Sequence, residues 1–172
     1  MTSVLKVDNI QNSSGTSAMT IDSSGNVKPT ASGSVVAVRF YSSDTRSTVS
    51  AASTGTLLSF TDTKLYGSET DIIVSVNVIG LGNASGATGT EIGYDGTKIY
   101  SASYDYNGQG YMVTINGNAK FSGVSSGSRT VRVGWTTGSG TASPFNVLNP
   151  NSTDESRLQQ MVSTITVYEV VA

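Results

Sequence analysis

The stretch TDIIVSVNVIG, residues 70–80, sets the expected fold. Ile72, Val74, Val76 and Val78 alternate with Ile73, Ser75 and Asn77, the two-residue period of a strand with one buried face.

Working outward, similar segments recur on both sides. VVAVRFY (35–41) has strong β composition and LLSF (57–60) is short and apolar. EIGYDGTKIYSASY (91–104) reads as a hairpin about Tyr94-Asp95-Gly96-Thr97, because Asp-Gly favours the turns that match strand twist. YMVTING (111–117) ends in Asn-Gly, which predicts another turn. TVRVGWT (130–136) puts Val131, Val133 and Trp135 on one face and Arg132 on the other. STITVYEVV (163–171) sets Ile165, Val167, Glu169 and Val171 opposite Thr164, Thr166, Tyr168 and Val170. About eight strands separated by turn signals predict an all-β antiparallel sandwich. A helix is expected only at TDESRLQQM (153–161).

Composition agrees. The 172 residues include 28 Ser, 22 Thr and 19 Gly, and only 13% are charged. Thr suits a pleated surface, while Gly and Ser supply turns. Cys and His are both absent, which removes thiolate chemistry, disulfides and the commonest general base. The ten Lys and Arg are scattered, so no electrostatic footprint for nucleic acid is expected. The sequence shows neither a signal peptide nor an apolar run of the ~20 residues that cross a membrane as a helix. Neither secretion nor membrane insertion is expected.

The first 34 residues read differently. VLKVDNIQNSSGTSAMTIDSSGNV (4–27) holds two short apolar ladders about a Ser/Gly hinge, and KPTASGS (28–34) reads as a linker. Residues 1–34 are therefore expected to be an extended attachment and oligomerisation segment, and residues 35–172 a β-sandwich head. Leu5, Val7, Ile10, Met19 and Ile21 form the apolar set of that segment, with sister chains or a larger particle as expected partners.

Candidate chemistry is sparse. Gly80, Gly82 and Gly86 approach a dinucleotide-binding fingerprint, but a strand follows where the site needs a helix N-terminus, so a loop is expected. The carboxylate pairs Asp154/Glu155 and Glu91/Asp95, and Lys64 or Lys120 as a base, are the conceivable catalytic groups. No convergent set is visible, so catalysis is not expected. Asp105, Asn107 and Gly108 fall short of a calcium loop, and no metal or cofactor is expected. The Asn12, Asn83 and Asn151 triplets match a glycosylation pattern that this much Ser and Thr produces by chance. YSASYDYNGQGY (100–111) places Tyr104, Tyr106 and Tyr111 as candidate receptor contacts, able to stack on a host-surface glycan or a protein.

The order of segments resembles the jelly-roll modules of bacteriophage fibre and other virion structural proteins, which share a broad likeness with trimeric tumour-necrosis-factor-type jelly rolls. The resemblance rests on GSETDIIVSVNV (67–78), TEIGYDGTKIYSAS (90–103), SGSRTVRVGWTTGSGTAS (126–143) and FNVLNPNSTDESRLQQMVSTITVYEV (145–170), with the N-terminal segment similar to those of phage structural proteins. It implies a non-enzymatic homotrimer on the virion surface: a short fibre, knob or capsid decoration touching other capsid or tail proteins. The short linker argues against a long fibre. A carbohydrate-binding module acting as a tail receptor-binding protein is the alternative, and a depolymerase is the catalytic one.

Overall fold

The computed structural model describes residues 8–21, 23, 25, 27–50, 54–82, 87–105, 112–137, 145–151, 153–154 and 160–172. Three short strands come first: β1 (Asn9–Gln11), β2 (Ser17–Ile21) and β3 (Val27–Pro29). Among the described residues they pair only with one another, in the order β1-β2-β3. The head follows with β4 (Val35–Ser43), β5 (Ser47–Thr48), β6 (Thr54–Lys64), β7 (Thr70–Gly82) and β8 (Ala87–Tyr94). It continues through β9 (Thr97–Asp105), β10 (Met112–Phe121), β11 (Gly127–Thr137), β12 (Phe145–Leu148) and β13 (Ser163–Val171).

The residues of β7 explain its central place. Ile72, Val74 and Val78 are fully buried and Val76 nearly so, as the alternation requires. One edge of β7 pairs with β13 and then β12, and the other with β10 along its whole length. This gives one sheet, β4-β13-β7-β10, extended at one end by β12 and β5. The second sheet runs β6-β11-β8-β9. Leaving out the two short strands, the chain passes from β4 to β6, back to β7, across to β8 and β9, back to β10, across to β11 and home to β13. Two antiparallel four-stranded sheets wired in this way are a jelly roll, an all-β sandwich. The eight strands expected from the sequence are these eight.

Between the sheets, the β7 residues with Ile115, Ala119, Phe121, Ile165 and Val167 meet Leu58, Ile92, Tyr94, Val131, Val133 and Trp135. A register shift at Val133/Gly134 lets both Leu57 and Leu58 be buried, although adjacent strand residues normally face opposite ways.

The Asp95-Gly96 turn forms as expected, with positive φ at both residues (50° and 82°). Asn116-Gly117 does not turn. It lies inside β10, opposite Asn77 and Val76, because Ile115, Ala119 and Phe121 continue the core-facing alternation across it. Lys28 and Pro29, read as linker, are part of β3, and the helix expected at 153–161 falls largely outside the described residues.

Candidate functional site: buried charges and two uncovered sheet faces

Strand alternation at the edge of the sandwich turns Arg39 and Tyr41 inward while Val38 and Phe40 face out. Arg39 grips Asp62 with two hydrogen bonds, 2.5 and 3.1 Å, and donates a third to Glu169 at 3.1 Å. The Tyr41 and Tyr94 hydroxyls also donate to Asp62, at 2.5 and 2.6 Å. Glu169 accepts from the backbone N–H groups of Leu65 (3.0 Å) and Tyr66 (2.8 Å) and from the Thr70 hydroxyl (2.9 Å). Lys64 approaches Glu169 at 3.4 Å and donates to the carbonyls of Tyr66 and Gly67 and to Thr70, each at 2.6 Å.

Burial pushes the Asp62 carboxyl up, but the Arg39 guanidinium and the two tyrosine hydroxyls outweigh it and hold the group below the usual carboxylate range. Burial likewise opposes ionisation of Glu169, and the Leu65 and Tyr66 N–H groups, Thr70 and Lys64 overcome it. Burial lowers the Lys64 ammonium despite Glu169. Burial and the bond to Asp62 push the Tyr41 hydroxyl up to about 12. A general acid or base needs a value moved toward neutrality. These carboxylates move away from it, and their hydrogen-bonding positions are taken; the Lys64 ammonium moves toward it, but it is fully buried and its donors are spent on the Tyr66 and Gly67 carbonyls, Thr70 and Glu169. The cluster fastens β4, β6, β8 and β13 together.

The other candidate carboxylates are also engaged with cations. Glu91 is buried between Arg132 and Lys98, while Asp95 sits at the β8–β9 turn against Arg129 at 3.3 Å. Asp154 meets Arg46 as a fork, and Lys120 pairs with Asp71 at 2.7 Å. Glu155 lies outside the described residues. Among the described residues no group of three or more His, Cys, Asp or Glu could hold a metal. Of the calcium-like triplet only Asp105 is described, at the end of β9; of the glycine fingerprint, Gly80 and Gly82 belong to β7.

Two uncovered surfaces remain. On the outside of the β4-β13-β7-β10 sheet, the register aligns Val38, Tyr168, Ile73 and Lys120 in one row and Phe40, Thr166, Ser75 and Asn118 in the next. Phe40 is 64% exposed and Val38 57%. The one charge in these rows, Lys120, is paired with Asp71. The sequence reading missed Val38 and Phe40 because the side of VVAVRF that carries Arg39 is the one that faces in, and only pairing with β13 shows this.

The second surface is on the N-terminal sheet. Ile10, Met19 and Pro29 form one row and Asp8, Ile21 and Val27 the next; by alternation they share a face, with Asp8 as its one charged member. Ile10, Met19 and Val27 are exposed, and Ile21 is half-buried. The opposite face carries Asn9, Thr20 and Lys28. Lys28 reaches the head, pairing with Glu69 at 3.3 Å and lying 5.3 Å over the Tyr66 ring. A cleft of about 350 Å³ lies between them, lined by Thr20, Ile21, Leu65 and Gly67 as well. Backbone bonds join Gly33 and Ser34 to Val171 at 2.8 and 2.9 Å. The segment therefore rests on the head, where the sequence suggested an independent piece.

Of the remaining sequence candidates, Leu5, Val7, Tyr106 and Tyr111 lie outside the described residues. Tyr104 is placed on β9, opposite Thr88.

No family model and no curated protein sequence matches the chain. Among solved structures it is similar to the EclA C-terminal domain, a sugar-binding protein, at 18% identity over 76% of this chain and 78% of that one, with a TM-score of 0.40. It is similar to dimeric latent PorU from Porphyromonas gingivalis at 10% identity over 78% of this chain and 12% of that one, TM-score 0.43. The structure of infectious bursal disease virus Gt strain gives 17% identity over 81% of this chain and 39% of that one, also at 0.43. Likenesses this distant carry no functional argument, and the jelly-roll assignment rests on the strand wiring above.

Proposed function

We propose that this chain is a non-enzymatic structural protein of a bacteriophage virion, a short fibre, knob or capsid decoration displayed on the particle surface. Residues 35–172 form its head and residues 1–34 its attachment and oligomerisation segment. Three copies associate through the outer face of the β4-β13-β7-β10 sheet. The observation that carries this reading is that face: Val38, Phe40, Ile73 and Tyr168 lie side by side there without an unpaired charge between them. Exposed apolar clusters of this kind mark interaction surfaces. At roughly 25 cal/mol per Å² of apolar area removed, a modest contact weighs heavily against a net stability of ~5–15 kcal/mol. The sequence resemblance to virion jelly rolls supports the particle setting.

Native mass spectrometry tests the assembly: a trimer is expected, and a clean monomer at micromolar concentration sinks it. Copy number in purified particles tests the location. Hundreds of copies mean capsid decoration and a few tens or fewer mean tail, whereas absence from the particle overturns the virion reading. Specific glycan binding by the isolated chain would point to a carbohydrate-binding module instead.

A further inference from the structure

Among the described residues the N-terminal sheet and the head share no strand pairing. Lys28 is what fastens one to the other, 3.3 Å from Glu69 and 5.3 Å over the Tyr66 ring. Around that contact the cleft of about 350 Å³ parts Thr20 and Ile21 from Leu65 and Gly67. The Glu69 side chain is 53% exposed, so solvent and salt reach the pair.

The covalent connection is a single turn. Thr30 still belongs to the sheet, its N–H donating to the Ala18 carbonyl at 3.1 Å, whereas the Gly33 N–H already donates to Val171 of the head at 2.8 Å. Ala31–Ser34 closes between them through the Ser34 N–H and the Ala31 carbonyl at 3.1 Å. Gly33 supplies the positive φ, 81°, that the third position of a type II turn requires. Ala31, Ser32 and Gly33 are all exposed. A few such residues at the end of an element are where hinge rotations are absorbed.

We propose that the N-terminal sheet is a hinged arm, turning about Ala31–Ser34 between a position latched to the head by Lys28 and a released one. An exposed ion pair and one cation–π contact each hold weakly, and together they favour the latched position by a factor of about ten. About a tenth of the chains therefore carry a released arm, a minor state of ordinary size. The hinge deepens the attachment reading, and rests on it only for its use: the head tilts on its particle without any strand unpairing.

The sequence contains no Cys, so introduced thiols alone take spin labels. Ser13→Cys, exposed between β1 and β2, marks the arm, and Thr63→Cys, exposed on β6, marks the head. The doubly labelled full-length chain is diluted into unlabelled chain, so that pulsed electron resonance reads distances within one copy. Two distances are expected, the second at about a tenth of the total, and Lys28→Ala should raise that share roughly fivefold. Sodium chloride at about 1 M should move the parent the same way, because it screens an exposed pair. One narrow distance, unchanged by Lys28→Ala, overturns the hinge. Two distances or a broad spread indifferent to Lys28→Ala overturn the latch. Neither result bears on copy number in particles, which judges the attachment reading separately.

Discussion

The Lys64 ammonium and the Glu169 carboxylate lie 3.4 Å apart, each with no exposed side-chain surface, and together they bind the end of β6 to the last strand. Glu169 also holds the N–H groups of Leu65 and Tyr66, while Lys64 holds the Tyr66 and Gly67 carbonyls. The loop that receives Lys28 of the N-terminal sheet is thus shaped by this pair.

Removing one partner should leave the other charged and buried. Glu169→Leu or Lys64→Met is expected to cost about 3–5 kcal/mol, measured by urea unfolding. The double variant should cost less than the sum of the two, since no lone charge remains. Additive losses would show that the two groups do not act as a pair.

Acid should weaken the fold through Asp62 and Glu169. Both titrate below their ordinary range when folded, so the unfolded chain takes up protons first as pH falls. Their contribution is complete above the ordinary carboxylate values of about 4 and is lost as pH falls through the lower folded values. The Tm should therefore fall below about pH 4, and Asp62→Asn and Glu169→Gln should show a shallower acid decline from a lower neutral Tm. An unchanged decline in both variants refutes the assignment.

Alkali should act through Tyr41, whose hydroxyl is pushed up to about 12 by burial and by Asp62. A raised folded value means that stability is complete below the ordinary tyrosine value of about 10 and is lost as pH rises toward 12. Tyr94, also raised by burial and its bond to Asp62, contributes to the same loss, so Tyr41→Phe should make the fall in Tm over that window shallower without abolishing it, as followed by circular dichroism. A slope identical to the parent's would assign the effect elsewhere.

Gly55 and Gly96 separate two reasons for glycine. A Cβ on Gly55 would run into the six-membered ring of Trp135. Gly55→Ala should cost about 1–3 kcal/mol by overpacking and should shift the fluorescence of this single tryptophan. At Gly96 a Cβ meets nothing within 4 Å, but φ is +82°. Gly96→Ala should cost about 1–2 kcal/mol from backbone strain alone, with the tryptophan spectrum unchanged.

Phe40 offers the direct check of the assembly face. Phe40→Glu leaves the core untouched, since the ring is 64% exposed, and should yield a folded chain of monomer mass in native spectrometry. Retention of the full oligomer would exclude this face from the contact.

Much of the fold was legible in the sequence because strand alternation is a local property. The run from Ile72 to Val78 and the set Val131, Val133, Trp135 declare their buried faces without reference to any partner. Asp95-Gly96 declares its turn for the same reason, since the backbone angles it favours are its own. Asn116-Gly117 carries a similar local signal, and pairing with β7 overrode it. The apolar residues Ile10, Met19 and Ile21 could likewise be read as members of two short ladders. Pairing through register is what only the tertiary structure decided. It put Val38 and Phe40 outside and Arg39 and Tyr41 inside, gathered Asp62, Lys64 and Glu169 across 107 residues of chain, and turned Lys28 toward the head. Side-chain sequence sets which faces a strand can offer, while the neighbours that fix which face is covered lie far away along the chain.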